Sequence, residues 1–182
     1  MLFVPDTPVY QQDHQPHKEG RAALLDIVRE RIDLGLLQGG QLTRLIVASG
    51  GNLRELFAML KEAADHGILR GDMEDRAIGP DDVDRAINKM RAEYVGRLGR
   101  SQFDQEEHID YDEKAERLCR LYAGEPKAQV ADPILYSLLR SRTVQEFNGK
   151  RWYGVHPLVV DILREQGVLT PDADGKVAGG LA

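Results

Sequence analysis

The chain has 182 residues, enough for one domain or two small ones. Its 24 Lys and Arg against 30 Asp and Glu leave a formal net charge of −6, the wrong sign for a protein that coats nucleic acid by neutralising phosphates. Hydrophobic residues at 42% supply a core and exclude wholesale disorder, while aromatics at only 6% favour helices over a β-sandwich.

Residues 1–19 read as an extended leading segment. Leu2-Phe3-Val4 suit one short strand, and Pro5, Pro8 and Pro16 forbid a continuous helix. From Glu19, the residues Ala23, Leu24, Ile27, Val28, Ile32 and Leu36 recur at spacings of three and four, predicting one amphipathic helix that Gly39-Gly40 ends. A short helix over 41–48 stops at Ser49-Gly50-Gly51. Asn52 is placed to cap the next helix, which carries Leu53, Leu56, Phe57, Leu60, Ala63 and Ala64 on one side. After a charged loop with Gly67, Gly71 and Gly79, Pro80-Asp81-Asp82 opens a helix with Val83, Ile87, Met90, Tyr94 and Leu98 on its buried face. Residues 20–98 therefore predict a small helical domain.

Residues 99–110 lose this periodicity and carry mostly acids, so they read as a linker or a weakly ordered helix extension. A second unit, 111–169, starts with a helix holding Ala115, Leu118, Cys119 and Tyr122, closed by Gly124-Glu125-Pro126. Asp132-Pro133 supplies an N-cap and a first-position proline for the next helix, with Ile134, Leu135, Leu138 and Leu139 on its face. Val144 to Phe147 and Lys150 to Tyr153 are β-prone runs joined by Asn148-Gly149, predicting a hairpin with a two-residue turn. Trp152 is expected to pack on this unit, because a lone hairpin is marginal in water. His156-Pro157 begins a last helix with Leu158, Val159, Ile162 and Leu163 buried, and 170–182 read as a frayed tail. The fold class expected is mainly α: a small helical bundle, then a winged-helix-like unit with one β-hairpin.

The single cysteine, Cys119, excludes an internal disulfide framework and a cysteine-rich zinc module, and fits a reducing compartment. No window approaches the ~18 consecutive apolar residues of a membrane span. The first residues also lack a basic stretch followed by an apolar one, so a cytoplasmic protein with no membrane partner is expected. Phosphate-loop, dinucleotide, nucleophile-elbow and His-Glu-x-x-His motifs are all absent, and no residue is assigned as catalytic. His14-x-x-His17 reads as a polar loop, and His108 beside Glu106, Glu107 and Asp110 as a solvated acidic face, so no metal site is assigned. Cys119 reads as a buried inert thiol and His156 as a helix cap or a residue packed under the hairpin.

One segment rises above this background, Ser49-Gly50-Gly51-Asn52-Leu53-Arg54-Glu55-Leu56. Its glycines allow close backbone approach, its helix start offers N–H groups, and Arg54 in the first turn opposes the helix dipole, a combination that suits an external anion such as phosphate. The plainer alternative is a loop-to-helix transition with Arg54 paired to Glu55, Glu62 or solvent.

This segment, its amphipathic helix, and the later helix start Ile78-Gly-Pro-Asp-Asp-Val-Asp-Arg-Ala-Ile87 together resemble the C-terminal helical lid of AAA+ and related signal-transduction P-loop ATPases. Phe3-Val4-Pro5 resembles the end of the last core strand, and 17–32 the first lid helix. Phe147-Asn-Gly-Lys-Arg-Trp152-Tyr-Gly-Val-His156-Pro-Leu158 is similar to the winged-helix tail of many bacterial ATPases of this kind. The resemblance implies that Gly50, Gly51 and Arg54 form a nucleotide sensor, with Arg54 meeting the γ-phosphate. It also implies ATP and Mg²⁺ in a parent protein that supplies the missing ATPase core and can oligomerise. The family's Walker A, Walker B and first sensor precede the lid and are not in these residues, so the chain is expected to bind no cofactor and turn over no ATP by itself.

Two other functions use the same chain. Arg140, Arg142, Lys150 and Arg151, with Trp152, surround the hairpin and would make a stand-alone DNA-binding module, although 132–164 carries only a slight basic excess. A protein-interaction adaptor would instead present an exposed apolar patch.

Overall fold

The computed structural model describes residues 6–70, 77–147, 152–171 and 177–179. They are mainly helical, with a β-hairpin in the second half. Contacts divide the chain into two units between Met90 and Arg91, inside a helix, rather than at 99–110.

The first unit contains α1 (Lys18–Arg29), α2 (Gln41–Ala48), α3 (Leu53–Arg70) and the first part of α4 (Pro80–Leu98). Leu24, Val28, Leu45, Leu56, Ala63 and Val83 are buried in its core. The first helix is shorter than its periodicity predicts. The Val28 carbonyl takes the N–H groups of both Arg31 and Ile32, and Asp33 then accepts the Gly35 N–H to start a short 3-10 helix, Leu34–Leu36. A side chain that bonds its neighbouring backbone offers the chain an alternative to the α-helix. Beyond this turn Ile78 donates to the Leu36 carbonyl at 2.7 Å and accepts from the Gln38 N–H at 3.0 Å, which ties the start of α4 to the end of the 3-10 helix. The predicted strand at Leu2-Phe3-Val4 lies outside the described residues.

The second unit contains the end of α4, then α5 (Gln102–Glu106), α6 (Tyr111–Tyr122), α7 (Pro133–Arg140), β1 (Val144–Phe147), β2 (Trp152–Val155) and α8 (Pro157–Glu165). Residues 99–110, read as a linker or a weakly ordered helix extension, contain the short helix α5. Ser101 and Asp104 exchange side-chain and backbone bonds in a capping box that opens α5, and Asp104 and Ile109 are buried.

The hairpin is present, with Val144 opposite Val155 and Phe147 opposite Trp152. The described part of its second strand is Trp152–Val155, and the predicted Asn148-Gly149 turn and the Lys150-Arg151 start of the strand lie outside the described residues. Trp152 packs on Phe147 with ring centroids 4.5 Å apart. Gly154 is required beside this pair, since a Cβ there would sit 2.9 Å from atoms of both rings. His156 is fully buried and caps α8 by accepting the Leu158 N–H on Nδ1 at 3.3 Å, while its ring stacks on Tyr94 at 4.2 Å. In the region read as a frayed tail, β3 (Leu169–Pro171) pairs antiparallel with β4 (Val177–Gly179).

Candidate functional site

The start of α3 is built by three polar side chains and two left-handed glycines. Gly50 and Gly51 have φ of 59° and 88°, a region that glycine enters without a Cβ penalty. Ser49 accepts the Gly51 N–H at 3.2 Å on a hydroxyl that itself donates to the Ile46 carbonyl at 2.8 Å. Asn52 caps the helix as expected, its Oδ1 accepting the Glu55 N–H at 3.1 Å, while its Nδ2 donates to Asp6 at 2.9 Å.

The close backbone approach expected at the glycines is made by the chain itself. Thr7 donates its N–H to the Gly51 carbonyl at 3.2 Å, and a Cβ on Gly51 would lie 1.6 Å from the Thr7 carbonyl oxygen. Gly51 thus accommodates the leading segment, whose Thr7 backbone occupies the space a Cβ there would need. What the corner leaves in solvent is Arg54, exposed in the first turn and without an ion pair or hydrogen bond among the described residues. Its expected intramolecular partners are engaged elsewhere. Glu55 is buried, and Glu62 pairs with Lys89 and His66, the Lys89 hydrogen bond holding its carboxyl below the ordinary range.

The residues predicted around the hairpin divide. Arg140 and Arg142 are exposed, Trp152 is half-buried in the packing described above, and Lys150 and Arg151 lie outside the described residues. Arg140 rests on an aromatic platform, 5.4 Å from the Phe103 ring centre and 5.7 Å from that of Tyr136, and these two rings meet edge-to-face at 5.2 Å. Tyr136 is 53% exposed. Sequence reasoning missed both rings: Phe103 falls in the segment read as a linker, while the Tyr136 to Arg140 spacing of one helical turn was available as a signal.

A second charged cluster, also missed, joins α5, α6 and α7. Lys114 donates to the Gly99 carbonyl at 2.7 Å and to Asp104 at 3.0 Å, and the Ser137 hydroxyl donates to the other oxygen of the same carboxylate. Burial pushes the Asp104 carboxyl up, but the bonds from Ser137, the Ser101 backbone and Lys114 outweigh it and hold the pKa at about 2. Ser137 and Lys114 share this carboxylate rather than each other, so neither is poised to activate the other as a nucleophile, and the cluster is structural. The Ser101-x-x-Asp104 spacing was its legible part.

Cys119 is buried, and that burial pushes its thiol up, away from the reactive thiolate. Among the described residues no group of three or more His, Cys, Asp or Glu side chains is arranged to hold a metal ion, and no helix is long and apolar enough to cross a membrane. Comparison with protein-family models, with curated proteins and with solved structures finds no match to this chain.

Proposed function

We propose that this chain is the helical lid and winged-helix region of a P-loop ATPase, and that α3 presents Arg54 as its nucleotide sensor. The observation that carries the reading is the condition of Arg54. A cation in the first turn opposes the helix dipole by a few tenths to about 1 kcal/mol, and among the described residues no carboxylate pairs with it. An anion from outside the chain is the fitting partner, and a guanidinium suits a phosphate group through its planar fork. Because Thr7 fills the space at Gly51, this residue acts by shaping the corner, and Arg54 is the group that would touch nucleotide. A preceding core would bring the phosphate loop and the Mg²⁺ ligands. Arg54 would then interact more strongly with ATP than with ADP, and the difference would set the orientation of the lid and pass to a DNA or protein partner.

The test compares ATP and ADP affinities in the polypeptide that joins this chain to its ATPase core. Arg54→Ala should abolish the preference for ATP while leaving the thermal melt in place. Full discrimination in that variant overturns the assignment. The chain by itself should release no phosphate from Mg-ATP, and sustained Mg²⁺-dependent release from a clean preparation would contradict the proposal.

A second reading, contact with nucleic acid, is favoured by the ion-pair pattern of the second unit. Arg91, Arg97, Arg117, Arg120 and Arg164 each meet a carboxylate, whereas Arg140 and Arg142 beside the hairpin, like the exposed Arg100, meet none among the described residues. If both contact phosphates, the double Ala variant should weaken binding to a short labelled duplex and lower the salt slope by about 2, at ~0.9 per phosphate. An unchanged slope rejects this reading.

A further inference from the structure

The leading segment 6–10 is held more firmly than an extended segment needs. Thr7 donates to the Gly51 carbonyl, and Asp6 accepts from Asn52 at 2.9 Å. Val9 is buried, and its carbonyl accepts from the His17 N–H at 3.0 Å and from Arg21 Nε at 2.8 Å. Tyr10 bridges to Pro16, and the Arg21 guanidinium lies 4.8 Å from its ring centre. Two glycines far apart in sequence make room for this path. A Cβ on Gly51 would meet the Thr7 oxygen at 1.6 Å, and a Cβ on Gly20, in the first turn of α1, would meet the Pro8 oxygen at 2.1 Å. Backbone sits on both sides of each approach, so no side-chain adjustment relieves either.

We propose that residues 6–10 are a strap that couples the start of α1 to the first turn of α3, so that displacing the strap at Gly20 loosens the helical turn that carries Arg54. The physical link is Asn52. Its Nδ2 holds Asp6 of the strap, and its Oδ1 holds the Glu55 N–H of α3, while its carbonyl accepts the Leu56 N–H at 2.9 Å. Moving Asp6 and Thr7 releases one end of the side chain that caps the helix, and an uncapped first turn frays. A pull on the chain at Asp6 would therefore reach Arg54 through hydrogen bonds, without rearrangement of the core. The coupling goes beyond the nucleotide reading, and its readout involves no nucleotide, so either can fail alone.

Amide hydrogen exchange on the whole chain tests it. Gly20→Ala should speed exchange at Thr7, and also at Glu55 and Leu56, by about tenfold or more, while Leu60 in the middle of α3 stays protected. Gly39→Ala is the control, because a Cβ there meets nothing within 4 Å, and it should change none of these amides. Acceleration at Thr7 with Glu55 and Leu56 unchanged overturns the coupling, and so does an unmoved Thr7. If Gly20→Ala instead unfolds the unit, speeding Leu60 equally, Asp6→Ala decides. It removes the Asn52–Asp6 side-chain bond and adds no bulk, and it must speed both Thr7 and Glu55 while sparing Leu60, or the strap is not a coupling element.

Discussion

Arg54 and Lys114 are both cations near the start of a helix, where the dipole disfavours positive charge, and the chain treats them in opposite ways. Lys114 is drawn inside, 2% exposed, and given a carbonyl and a carboxylate of its own. Arg54 is left in solvent with no such partner among the described residues, although Glu55 adjoins it and Glu62 lies on the same helix. Where charge serves the fold, the sequence provides the counter-charge. Its absence at Arg54 makes this corner of the first unit, rather than the buried cluster of the second, the better candidate for meeting something outside the chain.

Removing Lys114 should produce the largest effect. Lys114→Ala leaves Asp104 as a buried charge with one partner lost, a change that costs about 3–5 kcal/mol by denaturant unfolding. A loss below about 1 kcal/mol would show that the ion pair is not structural, and the contrast with Arg54 would collapse. Replacing both partners, Asp104→Asn with Lys114→Met, should cost less than either single change, because no uncompensated charge remains.

The same cluster predicts a pH window. The folded carboxyl of Asp104 has a pKa of about 2, below its ordinary value of 3.8. A group with a depressed folded pKa stabilises above the unfolded value and loses that contribution as pH falls through the folded value. Stability should therefore decline by about 2 kcal/mol between roughly pH 4 and pH 2. Ser137→Ala removes one of the bonds that depress the pKa and should narrow the window. If the wild-type and Ser137→Ala curves run parallel below pH 4, the network has been misjudged.

A smaller effect falls on the α3 corner itself. Asn52→Ala deletes the helix cap and the hold on Asp6, and about 1 kcal/mol should be lost in thermal or urea unfolding. A neutral result would mean that the corner is organised by the Gly51 and Thr7 backbones alone.

Much of this was legible, and the failures have physical reasons. Periodicity located α2, α3, α4, α6, α7 and α8, and the caps at Asn52, Asp132 and His156 are short-range signals that the fold kept. The end of α1 was misplaced because Ile32 and Leu36 continue the apolar spacing, whereas Asp33 binds its own neighbouring backbone and wins locally. Residues 99–110 show no helical periodicity in their sequence, yet Asp104 there is buried and neutralised by a lysine ten positions away. At the candidate site, Gly50, Gly51 and Arg54 could be picked out, but not the reason for the glycines. The neighbour of Gly51 is Thr7, more than forty residues earlier, and no local pattern announces a contact of that range.

The smallest effect on stability separates the two cations most sharply. Arg54→Ala should change the melt by no more than about 0.5 kcal/mol, as for an exposed side chain without a structural partner. Arg54→Glu goes further, because it places a favourable charge at the helix start and should raise stability by a few tenths of a kcal/mol. If the chain joins an ATPase core as proposed, the same change should abolish ATP preference there, since a carboxylate would repel the phosphate, and Arg54→Lys should restore it only in part, having the charge without the planar fork. Stability and sensing would then move in opposite directions in a single variant. That outcome is expected only of a residue whose charge is kept for a partner outside the helix. If Arg54→Glu instead lowers the melt while ATP preference survives, Arg54 belongs with Lys114 as a structural cation, and the contrast between the two regions disappears.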